Sequence, residues 1–171
     1  MGMDAFRIDD GIVIEQLVNP SPGNVDGETI FQRATSGATA VAFTGDDVSI
    51  AAAGDPFGAA FAVIDGTTEA LPTGDVIYEG HYTVAAADQI ESHGDLSLQF
   101  GFSDNSLTGT SDDTLLTVTG VVDNNGVISG SVDFDGTDKG LNGGIYGSNA
   151  DEVAAGFTDT YVGGYIYGER Q

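Results

Sequence analysis

From Gly74 to its end the chain alternates apolar and polar residues with a period of two between short turns, and this pattern constrains its fold more than any other feature. In "DVIYEGHYTVA" (75–85), Val76, Tyr78, Gly80, Tyr82 and Val84 share one face, and Ile77, Glu79, His81 and Thr83 share the other. In "GDLSLQFGF" (94–102), Leu96, Leu98, Phe100 and Phe102 oppose Asp95, Ser97 and Gln99, and "SDNS" (103–106) then turns the chain. Further strands are expected at 106–110, 114–122 and 127–135, with "DNNG" (123–126) as a hairpin turn. "KGLNGGIYG" (139–147), "VAAGFTDT" (153–160) and "YVGGYIYG" (161–168) bring the number to eight. Consecutive strands joined by short turns make an up-and-down meander, and closing it removes the exposed edges that an open sheet would present.

Glycine placement points the same way. Gly80, Gly120, Gly130 and Gly143 fall in mid-strand, where glycine weakens a sheet unless the strand bends or another backbone comes close, as in a narrow barrel. The expected fold class is therefore all-β: an eight-stranded antiparallel up-and-down β-barrel over residues 73–171, preceded by an N-terminal β extension over 1–72. A two-sheet sandwich is the competing architecture. In the extension, "GIVIEQLV" (11–18), "ETIFQRAT" (28–35), "TAVAFTG" (39–45), "DVSIAAAG" (47–54) and "GAAFAVID" (58–65) read as short strands, too apolar for a disordered tail. They are expected to pack on the barrel or to form a small sheet. "TTEALPTG" (67–74) reads as the linker.

The charge excludes whole classes of partner. With 27 Asp and Glu against 4 Lys and Arg, the net charge is −23, so nucleic acid and anionic membrane surfaces are repelled. Screening over a few ångströms in a saline medium accommodates such a surface, and a basic partner patch would be drawn to it. There is no cysteine, hence no disulfide, thiol nucleophile or thiolate metal site. No apolar run approaches the length of a membrane helix, and "MGMDAFRIDD" has no signal-peptide core. The start reads as trimmed, so membrane attachment is expected only through a lipid anchor outside these residues.

No catalytic constellation stands out. The two histidines, His81 and His93, lie in no nucleophile elbow or zinc-helix motif, so catalytic residues are expected to be absent and the protein not to be an enzyme. "DFDGTDKG" (133–140) begins like a calcium loop but has Asp138 at its sixth place and no Glu at its twelfth, so no metal site is expected. Heme is the one cofactor with candidate ligands, because imidazole and tyrosinate both serve as axial groups. Tyr78, His81, Tyr82 and His93 are the candidate ligand-binding residues. In the strand pattern His81 points outward, the tyrosines point inward, and His93 lies beside Gly94 at the rim.

Four stretches carry a resemblance to a known family. "GGIYGSNADEVAAGFT" (143–158) followed by "GGYIYGER" (163–170) resembles the terminal signature of the β-barrel in transferrin-binding protein B-like surface lipoproteins. "AVIDGTTEALPTGDVIYEGHYTV" (62–84) is similar to that family's entrance to the barrel, and "VTGVVDNNGVISGSVDF" (118–134) to its glycine-rich middle hairpin. The resemblance covers about residues 57–171, and the chain departs from the family in having no lipobox cysteine. It implies a non-catalytic binding protein of the Gram-negative outer surface, on the outer membrane or secreted, engaged in iron acquisition. It also implies a protein or heme- or iron-bearing partner taken up by barrel-rim loops, here 86–93, 103–106, 111–113 and 135–140. Arg170 is expected at the rim, and the final strand is expected to pair with the first. A carrier of heme or another small molecule, and a structural surface protein, are the two alternatives.

Overall fold

The computed structural model describes residues 6–8, 12–14, 29–33, 38–56, 58–64, 70–87 and 89–171, and every regular element among them is a strand. β1 (Phe6–Ile8) and β2 (Ile12–Ile14) pair with each other. β3 (Thr29–Arg33), β4 (Ala38–Thr44), β5 (Ser49–Asp55) and β6 (Gly58–Ile64) form a four-stranded antiparallel sheet in chain order. The expected strand over 11–18 falls partly outside the described residues, with Ile12–Ile14 as its described portion.

The remaining eight strands are β7 (Asp75–Ala86), β8 (Gln89–Gly101), β9 (Ser106–Ser111), β10 (Leu116–Val122), β11 (Val127–Phe134), β12 (Thr137–Tyr146), β13 (Glu152–Thr158) and β14 (Gly163–Arg170). Each pairs antiparallel with the next, and β14 pairs with β7 to close a barrel. Ile166 lies opposite Tyr82, and Gly168 opposite Gly80, in the closing ladder. The inward face is the one that the alternation marks. Tyr78, Tyr82, Leu96, Leu98, Phe100, Ile128, Val132, Leu141, Phe157 and Ile166 are all buried in one core. Burying a side chain of this kind contributes about 1.5–3 kcal/mol, so this interior is the main source of stability. Its polarity is also the reverse of a membrane-spanning barrel, whose apolar residues face outward.

Glycine at mid-strand lets backbones meet. A Cβ on Gly80 would strike the carbonyl oxygen of Tyr167 and stand 2.5 Å from Gly168 Cα, across the ladder that closes the barrel. Gly120 and Gly130 face each other in the same way between β10 and β11.

Antiparallel order sorts the turns onto two ends. Ala87 and turns 112–115, 135–136 and 159–162 lie at the upper rim, and turns 102–105, 123–126 and 147–151 form the lower one. The incoming segment crosses the lower end, where Leu71 packs on the core, Gly74 turns with φ of 83°, and its carbonyl accepts from Phe102 N at 3.1 Å. Two features differ from the sequence expectation. The stretch 86–93 is largely strand: the β7–β8 ladder, with Thr83 Oγ1 and His93 Nδ1 bonded across it at 2.7 Å, runs on past a register shift between Val84 and Ala85 to Ala86 and Gln89. His93 is therefore a ladder residue rather than a rim residue. The candidate rim loops divide between the two ends of the barrel, with 103–106 opposite 111–113 and 135–140.

The small sheet docks on one side of the barrel wall. β4, β5 and β6 lie against β7, β13 and β14, and Val41, Val48, Ile50 and Ala52 pack on Ala85, Ala154, Tyr165 and Tyr167. As a result, β13 and β14 are buried on both faces, which matches their near-continuous apolar sequences "VAAGF" and "GGYIY".

Replacing Gly80 with valine is expected to lower stability by about 1–3 kcal/mol through overpacking at the closing ladder. Urea unfolding followed by circular dichroism checks this, and an unchanged midpoint would show that the backbones are not in contact there.

Candidate functional site

Three regions bring polar and aromatic side chains together: the seam between sheet and barrel, the barrel interior, and the upper rim. At the seam, Glu152 starts β13 on the outer wall and is almost fully buried. Its carboxylate accepts from the backbone N–H groups of Asp46 at 2.6 Å, Asp47 at 2.8 Å and Val48 at 2.9 Å, all in the β4–β5 turn. Tyr167 O–H also donates to Glu152 Oε1 at 2.7 Å, and lies 3.1 Å from Glu169 Oε1. Successive backbone N–H groups of this kind form an anion-binding nest, here filled by a side chain of the other unit. Burial first, and then the Glu152 carboxylate, hold the Tyr167 phenol far above its ordinary pKa. Gly45 leaves the space required, since a Cβ there would meet the Glu152 carboxylate and stand 2.7 Å from Tyr167 Oη.

Beside this latch lies an aromatic group. The ring of Phe43, from β4, sits 4.7 Å from His81 and 4.4 Å from Tyr167. His81 Nε2 is 3.4 Å from Tyr165 Oη, and the two histidine rings are 5.6 Å apart. His81 thus points outward, as the alternation requires, but the docked sheet covers it and leaves it 9% exposed.

Tyr78 and Tyr82 occupy the other side of the wall, in the core. Tyr78 O–H donates to the carbonyl of Ala150 at 2.7 Å, and burial pushes its phenol up to about 12 despite the nearby charge of Arg170. Tyr82 O–H donates to Asp113 Oδ2 at 2.6 Å and lies 2.7 Å from Ser92 Oγ; burial and then the Asp113 bond push it up to about 12. The four residues singled out for ligand binding are therefore divided by the barrel wall. His81 and His93 come together at the seam, whereas the two tyrosines are protonated, hydrogen-bonded groups within the core. Arg170 lies at the lower rim, where its guanidinium donates to the carbonyl of Asn149 at 3.0 Å.

The Tyr82–Asp113 bond fixes an exposed loop at the upper rim. Asp113 also accepts from Ser111 O–H and, at 3.0 Å, from Leu115 N; burial raises its pKa, but these donors outweigh it and hold the carboxyl below its usual range. Thr114 adopts a φ of 62°, which a β-branched residue rarely does, and such strain persists only where surrounding contacts impose it. The loop then presents Leu115, 41% exposed, while Tyr161 on the 159–162 turn is 52% exposed. Asp112, Asp135, Asp138 and Asp159 are exposed around the same end. Lys139 is mostly buried there, its Nζ 3.9 Å from Asp159 Oδ2 and 5.6 Å from the centre of the Phe134 ring. The stretch 133–140 is a tight hairpin, with Asp133 Oδ1 accepting from Gly136 N at 2.9 Å. Sequence reasoning missed Glu152 and Leu115; only the acid opening an apolar strand, and the first leucine after the polar run in "SDDTLL" (111–116), hinted at them.

No protein-family model matches the chain, and a search of curated proteins finds no match. Solved structures do share its fold. HpuA from Kingella denitrificans, in complex with human haemoglobin, is 14% identical with a TM-score of 0.69, over 98% of this chain and 76% of that one. Isotype 1 transferrin binding protein B from serogroup B Neisseria meningitidis is 17% identical with a TM-score of 0.63, over 96% of this chain and 38% of that one. A variant of transferrin binding protein B from Actinobacillus pleuropneumoniae H49 is 12% identical with a TM-score of 0.63, over 98% of this chain and 93% of that one. The present chain thus spans about two-fifths of the Neisseria protein. At these identities the TM-scores establish a common fold alone, and the fold is that of transferrin binding protein B and HpuA.

The raised phenol values give a pH prediction. Tyr78 and Tyr82 ionise near pH 12 when folded and near 10 when unfolded, so their contribution is fully present below about pH 10 and is lost as pH rises through about 12. A Tyr82→Phe variant is expected to lose about 1–3 kcal/mol at neutral pH, with the Asp113 bond gone, and to show a shallower alkaline loss of stability. Thermal melts from pH 8 to 12 check both; identical alkaline slopes would contradict the assignment.

Proposed function

We propose that this chain is a non-catalytic binding protein of the bacterial outer surface that captures an iron- or heme-carrying protein on its upper rim. The observation that carries this reading is the loop 112–115, fixed from inside the barrel by Tyr82 and presenting Leu115 beside a ring of carboxylates. A rigid loop with an apolar tip, on the same rim as the exposed Tyr161, has the make-up of an interface: a few desolvating anchors within a polar surround. The acidic ring favours a partner with a basic surface, by steering encounter and excluding acidic competitors.

The fold supports the same class of function. Proteins of this fold include one solved with human haemoglobin and others named for binding transferrin. Capture needs no catalytic group, and the buried tyrosines and histidines are occupied in packing and hydrogen bonds. The filled interior speaks against carriage of heme within the barrel, since the positions that would line a cavity hold Tyr78, Phe100, Phe157 and Leu98. Attachment to the cell surface through a lipid anchor outside these residues belongs to this reading, as does a role in iron acquisition.

Biolayer interferometry against haemoglobin and transferrin tests the proposal, with lysozyme as a control for charge attraction alone and a hemin titration alongside. The expected result is saturable binding of one iron-carrying protein, weakened at least about tenfold by Leu115→Ser with Tyr161→Ser, because hot-spot anchors are worth about 2 kcal/mol or more each. Binding that ignores both substitutions and follows ionic strength alone, or a one-to-one Soret shift with free hemin and no protein binding, would contradict it.

A further inference from the structure

The two upper-rim turns that carry Leu115 and Tyr161 each have an aspartate at their base, Asp113 in one and Asp159 in the other. In both, one carboxylate oxygen closes the aspartate's own turn. Asp113 Oδ1 accepts from Leu115 N at 3.0 Å, and Asp159 Oδ1 accepts from Thr160 N at 2.6 Å. The other oxygen meets a side chain that rises from the barrel interior. For Asp113 this is the Tyr82 phenol; for Asp159 it is the Lys139 ammonium, with Nζ 3.9 Å from Oδ2.

Topology puts Lys139 there. Leu141 pairs with Phe157 in the β12–β13 ladder, so two residues further up the same inward face Lys139 stands level with Asp159. Its side chain is 5% exposed, and Nζ lies 5.6 Å from the centre of the Phe134 ring, within reach of a cation–π contact. Among the described residues Nζ makes one hydrogen bond, to the carbonyl of Thr137 at 3.2 Å. Lysine is almost never buried this far without an opposite charge, and Asp159 supplies it. The dependence is mutual. Asp112, Asp135 and Asp138 share this rim, and Lys139 is the one lysine or arginine side chain described there, Arg170 being at the other end.

We propose that Lys139 is the positioning residue for Tyr161: its ammonium ties Asp159 to the barrel interior and so sets how the 159–162 turn presents that ring. The proposal rests on the reading of the upper rim as the capture surface. The turn's internal shape has its own support, with Asp159 N donating to Val162 O at 2.8 Å. The docked sheet bounds the turn on one side, since a Cβ on Gly54 would stand 2.7 Å from the Tyr161 carbonyl oxygen. The ion pair adds the link from turn to interior, the counterpart of the Tyr82–Asp113 bond at the Leu115 turn.

Amide exchange in the parent and in Lys139→Met tests the positioning without any partner. Methionine keeps the unbranched stem and removes the charge, so melting and the protection of β7 and β8 are expected to match the parent. The Asp159 and Thr160 amides are expected to exchange about two- to fivefold faster in the variant, the range for a half-exposed ion pair. Salt at about 0.5 M is expected to do the same to the parent by screening the pair, measured against the Asn125 amide, which Asp123 caps in an exposed turn. Equal protection with and without the ammonium overturns the proposal and leaves Lys139 as a cover for the core, its stem on Phe134 and its head toward water.

Interferometry against haemoglobin and transferrin then compares Lys139→Met, Tyr161→Ser and the double variant. A residue that acts through Tyr161 weakens binding by about two- to fivefold on its own and adds nothing once the ring is gone. Equal losses in both backgrounds would show that the ammonium touches the partner directly, contrary to the proposal. If the parent captures neither protein, the capture reading falls, and the exchange result still decides whether Lys139 holds the turn.

Discussion

The bond between the Glu152 carboxylate and the β4–β5 turn is the interaction on which the joining of sheet and barrel depends. A buried carboxylate is costly unless its lone pairs are filled, and here three backbone N–H groups and one phenol fill them. The three N–H donors come from the small sheet, and the carboxylate and the phenol from the barrel, so neither unit is fully satisfied alone. Charge-assisted bonds of this kind contribute about 1.5–3 kcal/mol each, whereas separation without solvent access would leave every one of them unmet. Everything else at the seam follows from that contact: Phe43 is brought over His81 and Tyr167, and β13 and β14 lose both faces to packing.

This union divides the molecule by function. The barrel interior is filled, the wall over β7, β13 and β14 is covered, and the available surface is reduced to the rims and the opposite wall. Rigidity passes from core to rim through single bonds. Tyr82 reaches from inside the barrel to Asp113, which fixes the turn that carries Leu115. At the lower end Tyr78 does the same for the turn at Ala150. Binding residues held on short turns by a packed scaffold lose little entropy when a partner arrives, which suits capture rather than chemistry.

Much of the barrel was legible because its alternation is local. Tyr78, Tyr82, Leu98 and Val132 announce an inward face by spacing alone, and the mid-strand glycines announce close backbones. The seam was legible only in part. The unbroken apolar runs in β13 and β14 record burial on both faces, but nothing local says that the second face is covered by residues some hundred positions earlier. The Glu152 latch spans 104 to 106 residues of chain, and its donors are main-chain groups that carry no residue signature. For the same reason His81 was readable as outward but not as buried. The rim differs where strand length decides it: β7 and β8 run on past the expected turn and past a register shift between Val84 and Ala85. The anchoring of Leu115 depends on a phenol 33 residues away in sequence, which no motif marks.

Amide hydrogen exchange at Asp46, Asp47 and Val48, in the parent and in a Glu152→Gln variant, tests the latch most directly. In the parent these three amides are predicted to exchange as slowly as the β14 ladder, opening only when the barrel opens. In the variant they are predicted to exchange much faster while β7–β12 keep their protection, with the sheet loosened from an intact barrel. Fast exchange of the three amides in the parent, or equal protection in both proteins, would show that the sheet is held on the barrel by apolar packing alone and that Glu152 is not what joins them.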